Sequence, residues 1–294
     1  MRRLISIIIL TTSALLLTLR AQQLTLPVKP NPVRFAAIGD MGTGDKAQYE
    51  VAQQMLTYHQ QFPFDFVIML GDNIYGGHDP VDFERKFSVP YKPLLDGGVK
   101  FYAALGNHDD PDERFYKPFN MNGARYYTYK KGNVRFYVLD SDYMDPQQLK
   151  WLENELQKSG GGEWRICYFH HPLYSSGKTH GSSLELRALL EPLFIKYGVN
   201  VVFAGHDHVY ERVKPENGIF YFTEGAAGQL RYGDLKRTGM TDVGFDKDRS
   251  FMLVEIAGTD LYFQTITRTG NTVDSGAIAK QPGVQSATAG PPSK

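Results

Sequence analysis

Short apolar runs end in the same way at several places along this chain. Residues 35–38, 66–70, 101–105 and 201–204 are β-prone, and each runs directly into a glycine and then an oxygen or nitrogen ligand type. The junctions are Gly39-Asp40, Gly71-Asp72, Gly106-Asn107-His108-Asp109 and Gly205-His206-Asp207-His208. A fifth run, 166–169, ends in His170-His171-Pro172 without the glycine. Glycine turns the backbone sharply without a Cβ clash, so the next side chain can point across the strand ends. In layered α/β proteins that edge is where sites are built. Five strand ends are thus expected to offer carboxylate, phenol, amide and imidazole to one region, the phenol being Tyr75, just after Asp72.

Helical patterns fill the gaps. A helix is expected at about 45–60 behind the loop Gly42-Thr43-Gly44, and a short one near 81–87. That loop has no lysine in the P-loop position, so it reads as a turn that clears room for the site. Residues 125–130 and 134–139 alternate around Lys131-Gly132-Asn133 as a hairpin. Asp145-Pro146 opens a helix with Leu149, Leu152 and Leu156 at helical spacing, and Gly160-Gly161-Gly162 stops it. A second helix, 184–197, ends at Gly198. The rest turns to β at 219–223, 251–256 and 261–267, with turns at Asn217-Gly218 and Gly270-Asn271. The charged stretch 224–250, with Arg231, Tyr232, Lys236, Arg237, Lys247 and Arg249, reads as a long loop that forms a substrate-facing rim.

Composition narrows the class of protein. Among 294 residues, 32 Lys plus Arg balance 32 Asp plus Glu, so neither nucleic acid nor an anionic membrane is indicated as a partner. Met1-Arg2-Arg3 and the apolar stretch 4–19 have the grammar of a secretory signal peptide, shorter than the ~20 residues a spanning helix needs. Export to the periplasm or medium follows, with a leader at 1–21 ending at Ala21 and an uncleaved N-terminal anchor as the alternative. The ligand motifs from 40 to 208 cannot be divided, which makes 22–280 one catalytic domain. The Pro-, Gly-, Ser- and Ala-rich end, 281–294, reads as a disordered tail. Cys167 stands alone, so no internal disulfide forms; inside an apolar run it reads as a small core residue.

The ligand types point to a pair of cations. Asp72 can give one carboxylate oxygen to each of two ions ~3.5 to 4 Å apart, the spacing of two-metal hydrolases. His206 and His208 are two apart, so on an extended segment both rings face one side while Asp207 faces the other. Taken singly, each residue has a plainer reading: Asp40 as a helix cap, His170 as a core histidine, His78 as a solvated surface histidine. His108, beside Asp109 and Asp110, leaves an acid-base or anion-binding role open. Taken together and in order, the metal reading prevails. A cation pair neutralises phosphate oxygens, orients an ester for in-line attack and acidifies water, so no serine or cysteine nucleophile is needed.

Gly39-Asp40-Met41-Gly42, Gly71-Asp72-Asn73-Ile74-Tyr75, Gly106-Asn107-His108-Asp109, Tyr168-Phe169-His170 and Gly205-His206-Asp207-His208 resemble, in order, the five metal motifs of purple acid phosphatases. These are calcineurin-like metallophosphoesterases, and Tyr75 is the most specific part of the match, which spans about 33–268. The resemblance implies a four-layer α/β/β/α sandwich of two mixed β-sheets. It implies Fe(III) held by Asp40, Asp72, Tyr75 and His208, and a divalent Fe, Zn or Mn held by Asp72, Asn107, His170 and His206. Phenolate on ferric iron would give a charge-transfer colour. His108 and His180 match residues that bind phosphate or protonate the leaving alcohol, whereas the place of His171 stays open.

Two departures stand out. Cys167 replaces a usual valine, a packing change, and the link from Leu139 to the helix at Asp145 is short where small mammalian-type enzymes carry a covering segment. That leaves a site open to larger esters. The implied activity is hydrolysis of small phosphate monoesters at acidic pH, by a metal-bound or bridging hydroxide. The rivals are a phosphodiesterase or nucleotide diphosphatase on the same ions, and an exported iron-binding redox protein.

Overall fold

The computed structural model describes residues 23–236 and 238–280, so the expected leader 1–21 and tail 281–294 lie outside the described residues. Strand β1 (Val33–Ile38) leads through α1 (Lys46–His59) to β2 (Phe66–Leu70). Helix α2 (Pro80–Phe83), a π turn (Glu84–Ser88) and α3 (Lys92–Asp96) then lead to β3 (Lys100–Ala104). Two 3-10 turns, Pro111–Phe115 and Lys117–Phe119, precede the hairpin of β4 (Tyr127–Lys131) and β5 (Val134–Val138). Next come α4 (Pro146–Gln157), β6 (Trp164–Tyr168), α5 (Leu184–Tyr197) and β7 (Val201–Ala204). The chain continues with β8 (Tyr210–Val213), β9 (Phe220–Glu224), β10 (Thr241–Phe245), β11 (Ser250–Ala257), β12 (Asp260–Thr267) and β13 (Thr272–Ala279).

Local chemistry sets the helix ends. The Asp45 carboxylate accepts from the Gln48 amide at 3.0 Å, and Asp145 does the same for Gln148 at 2.7 Å. Each satisfies one of the N–H donors that an α-helix leaves unpaired at its start. Gly198 takes a left-handed φ of 63° that ends α5. No described helix is long and apolar enough to cross a membrane.

The strands form a six-stranded sheet, β13-β12-β11-β1-β2-β3, and a seven-stranded sheet, β10-β8-β9-β7-β6-β5-β4. In the first, β1, β2 and β3 run parallel; in the second, β5, β6, β7 and β9 do. Antiparallel neighbours complete both, so the sheets are mixed as expected. Alternating side chains build the layers. Phe35 and Ala37 of β1 enter the core between the sheets, whereas Ala36 and Ile38 enter the core shared with α1. Phe35 stacks on Phe66 at 5.3 Å and meets Phe136 and Phe203 of the opposite sheet edge-on, at 5.5 and 6.0 Å. On the far face, Cys167 and Phe169 pack with Leu152 of α4 and Leu190 and Phe194 of α5. The order helix, sheet, sheet, helix is the four-layer sandwich, and Cys167 is fully buried in it.

The apolar pattern does not announce β8, β10 or β13. In β8 the polar residues are neutralised by distant partners: Arg212 Nε donates to Asp274 at 2.8 Å, and Glu211 accepts from the Ser176 amide at 2.7 Å. β10 is an edge strand paired to β8 through a bulge, and its side chains are half-buried or exposed. It lies inside 224–250, so that stretch is not one long loop.

Candidate metal centre

The site lies across the C-terminal ends of parallel strands from both sheets. β1, β2 and β3 deliver Asp40, Asp72 with Tyr75, and Asn107, while β6 and β7 deliver His170, His206 and His208. One sheet supplies oxygen and the other nitrogen.

The oxygen-rich half is buried. The Tyr75 hydroxyl lies 2.8 Å from Asp72 Oδ2, 3.1 Å from Asp40 Oδ1 and 3.1 Å from His208 Nε2. His208 Nε2 is 3.2 Å from Asp40 Oδ1. No lysine or arginine among the described residues pairs with either carboxylate. Burial, reinforced by the charge of Asp72, pushes Asp40 well above the usual carboxylate range, although the His206 amide donates to it at 2.8 Å. Burial and the two carboxylates also drive the Tyr75 phenol far above its ordinary value.

The imidazole half is ordered through its tautomers. His170 Nδ1–H donates to the Leu70 carbonyl at 3.0 Å, which leaves Nε2 with its lone pair. That lone pair faces Asn107 Oδ1 at 3.0 Å, His206 Nδ1 at 3.1 Å and Asp72 Oδ1 at 3.3 Å. A carbonyl fixing the remote nitrogen of an imidazole is the usual support behind a metal-binding histidine. Burial, then the other imidazoles, lower His170 well below its ordinary value and bring His206 down to about 2. Burial and Arg231 bring His208 down to about 4. The rings are therefore neutral and able to bind a cation.

Two groups of side chains bring ligand atoms within 4.8 Å of one another: Asp40, Asp72 and His208, and His170, His171 and His206. Buried lone pairs and carboxylates this close repel, and a cation turns the repulsion into attraction. Carboxylates and a phenol are hard donors that suit Fe(III), whereas imidazole and amide suit a divalent ion. The residues fit both.

The structure gives a second reason for the glycines before the ligands. A Cβ at Gly106 would stand 2.4 Å from Asp72 Oδ1, and one at Gly205 would stand 2.5 Å from Asp40 Oδ2. Space for the neighbouring ligand is what they provide. The left-handed turn falls at the ligand itself in Asp40 and His206, at φ values of 54° and 69°, and at both Gly71 and Asp72, at 89° and 53°. These are costly for residues with a Cβ, and such strain gathers at functional sites. His206 is accordingly not on an extended segment; a left-handed bend brings both rings of the pair to the site. The Gly42 loop lies directly against the Asp72 loop, where a Cβ on Gly42 would stand 1.8 Å from the Asn73 carbonyl oxygen.

Several supporting residues carry no signal of their own in the sequence. Asp109 accepts from the amides of Asn73 at 2.6 Å, Ile74 at 3.0 Å and Gly106 at 2.8 Å, bracing the Asp72 loop against the Asn107 loop. Asp207 points away from the two histidines, as expected, and grips the loop that carries His180 through Ser175 Oγ and the Gly181 amide. Buried Lys86 donates to the carbonyls of Tyr75 and Gly77. An aspartate in a turn or a lysine in a helix is ordinary; only the fold shows what each holds.

His180 and His108 flank the ligands. The His180 ring centroid lies 4.1 Å from that of His206, and the His108 ring 4.8 Å from that of Tyr75. His171 is close as well, 4.3 Å from His206 by ring centroids. His78 pairs instead with Glu113, its Nδ1 3.0 Å from Oε1, so it is a partnered, half-buried residue. The segment 225–231 is stitched to the ligands: the Gln229 amide donates to the Asp40 carbonyl at 2.9 Å and that of Arg231 to the His208 carbonyl at 3.0 Å.

The calcineurin-like phosphoesterase family profile matches residues 33–210. Tartrate-resistant acid phosphatase type 5 of Mus musculus is 26% identical, over 83% of this chain and 94% of its own. Purple acid phosphatase 4 of Arabidopsis thaliana is 27% identical, with 87% of each chain covered. A solved purple acid phosphatase from yellow lupin (Lupinus luteus) seeds shares the fold at a TM-score of 0.70 and 19% identity, over 85% of this chain and 54% of that one. The relatives bear out the resemblance read from the sequence.

Proposed function

The chain belongs to the calcineurin-like phosphoesterase family, and on that footing we propose that it hydrolyses phosphate monoesters at a dinuclear Fe(III)–M(II) centre, with M being Fe, Zn or Mn. The observation that carries the reading is the Tyr75 phenol, 2.8 Å from Asp72 Oδ2 and 3.1 Å from Asp40 Oδ1. In the proposed centre Asp40, Asp72, Tyr75 and His208 would hold the ferric ion, and Asp72, Asn107, His170 and His206 the divalent one. When bound, such a pair neutralises phosphate oxygens and makes water acidic enough to supply hydroxide.

The remaining steps belong to side chains. His180 donates a proton to the alcohol oxygen as its bond to phosphorus breaks, and His108 steadies the phosphate oxygens from the Tyr75 side. Arg231, stitched through its backbone to His208, adds a fixed positive charge to the rim. Burial, then Arg231, lower His180 below its ordinary value, and Asp207 opposes the shift. Its acid form is therefore present at low pH and lost as pH rises, which favours an acidic optimum. We also propose export behind a leader at 1–21, one catalytic domain at 22–280 and a disordered tail at 281–294.

Turnover of 4-nitrophenyl phosphate against bis(4-nitrophenyl) phosphate tests the substrate class. A faster monoester rate is expected. A dominant diester rate would assign the protein to phosphodiesterases, and bound iron without turnover of either would remove it from the hydrolases.

A further inference from the structure

A groove of about 370 Å³ opens beside the imidazole half of the centre. Its wall toward the centre is His171, whose ring is 4.3 Å from that of His206 by centroids. Ser141 holds this wall in place: its Oγ is 3.0 Å from His171 Nδ1 and accepts from the His171 amide at 3.1 Å. Met144, Leu186 and Leu189 are its apolar lining; of its two carboxylates, Asp142 stands beside His171 and Glu185 belongs to the first turn of α5. Leu189 is 44% exposed, an apolar surface that folding does not require.

Charge in the groove is one-sided. No lysine or arginine lines it, and none among the described residues pairs with Asp142 or Glu185. Among the described residues the basic group that pairs with Asp142 is His171, with Nε2 3.8 Å from Oδ1, while Arg125 is taken up by Asp140 at 3.0 Å. Burial, then the charges of Asp140 and Asp72, push the Asp142 carboxyl up to about 7, as expected of a carboxylate that has acidic neighbours and lacks a cation.

We propose that this groove receives the alcohol portion of the substrate ester and selects alcohols whose apolar stem ends in a cation, such as a protonated amine. The proposal rests on the monoester reading above. With phosphate at the centre, the stem crosses His171 against Met144, Leu186 and Leu189, and its ammonium end meets the carboxylates of Asp142, beside His171, and of Glu185. Above about pH 7, where Asp142 has released its proton, an ester with a carboxylate or second phosphate at that end meets two negative charges and is disfavoured; at the acidic pH expected for turnover Asp142 is protonated and Glu185 alone discriminates. The short link between β5 and α4 leaves the groove open to such stems.

Calorimetry of the metal-loaded protein with butylphosphonates reads the groove without turnover, since the P–C bond is not hydrolysed. The far end of the probe carries an ammonium, a plain methyl or a carboxylate, and the measurement is made at about pH 8.5, well above the value of Asp142 and still below that of an alkylammonium. Wild type should bind the ammonium form about tenfold more tightly than the methyl form, and the carboxylate form about tenfold more weakly. The double change Asp142→Asn, Glu185→Gln should bring the three within about twofold of one another. Leu189→Lys, an exposed change, should reverse the order. Equal affinities in wild type, or an unchanged order in either variant, overturn the groove. Release of phosphate from 4-nitrophenyl phosphate is measured on the same sample. If that release and all phosphonate binding are absent, the phosphatase reading fails and the subsite falls with it.

Discussion

The two sheets contribute unlike halves to one site. The six-stranded sheet brings Asp40, Asp72, Tyr75 and Asn107, all oxygen donors, while the seven-stranded sheet brings His170, His206 and His208. The carboxylates of the oxygen half are buried, Asp40 and Asp72 at 0% and 1% exposed, as are His170 and His208 of the other half, whereas Asn107 is exposed. The imidazole half reaches outward to His171, His180 and the groove. Neither half holds both donor sets alone, so packing between the sheets is itself a condition for the chemistry. Asp72 spans the seam, with Oδ2 near Tyr75 and Oδ1 near His170. The buried half is suited to fix a hard cation, and the open half to meet a substrate.

Breaking the link should cost most. Asp72→Asn removes the carboxylate shared across the seam, and turnover should fall about a thousandfold, with metal lost in elemental analysis. Phe35→Ala hollows the aromatic contact between the sheets and should cost about 3 to 5 kcal/mol in denaturant unfolding. His180→Ala touches only the open half. It should slow alkyl esters about a hundredfold and activated aryl esters far less; equal losses would exclude a general acid. Tyr75→Phe touches only the buried half, and should abolish the visible colour at a cost of about tenfold in rate.

The smallest effect concerns the brace behind the oxygen half. Burial, then the charge of Asp109, push Glu113 up to about 11 from an ordinary 4.5. The folded state thus keeps its proton while the unfolded state releases it above about pH 4.5, so this group lowers stability increasingly as pH rises. Glu113→Gln should change little at about pH 4 and add about 1 to 2 kcal/mol at about pH 8, read by thermal unfolding.

Strand ends were the legible part of the sequence, because β1, β2, β3, β6 and β7 are apolar and each stops at a ligand type. The bearing of each ligand was not legible. A positive φ at Asp40, Asp72 or His206 follows from what crowds the backbone, such as the Gly205 and Gly106 contacts, and no local pattern encodes it. β8 was hidden because its polar residues are satisfied from far along the chain, Arg212 by Asp274 and Glu211 by Ser176. Asp109 and Asp207 were similarly obscured: their partners lie on other loops, so sequence shows the acid but not its task. The groove beside His171 joins residues of the β5–α4 link to the first half of α5, a proximity that only the packing of the far layer creates.

Metal content per chain of purified, active protein tests the joined halves most directly. Two metal ions per chain are predicted, at least one of them iron, with both lost in Asp72→Asn. Full turnover by protein that holds a single ion, or by protein stripped of metal with a chelator, would contradict a centre shared between the sheets.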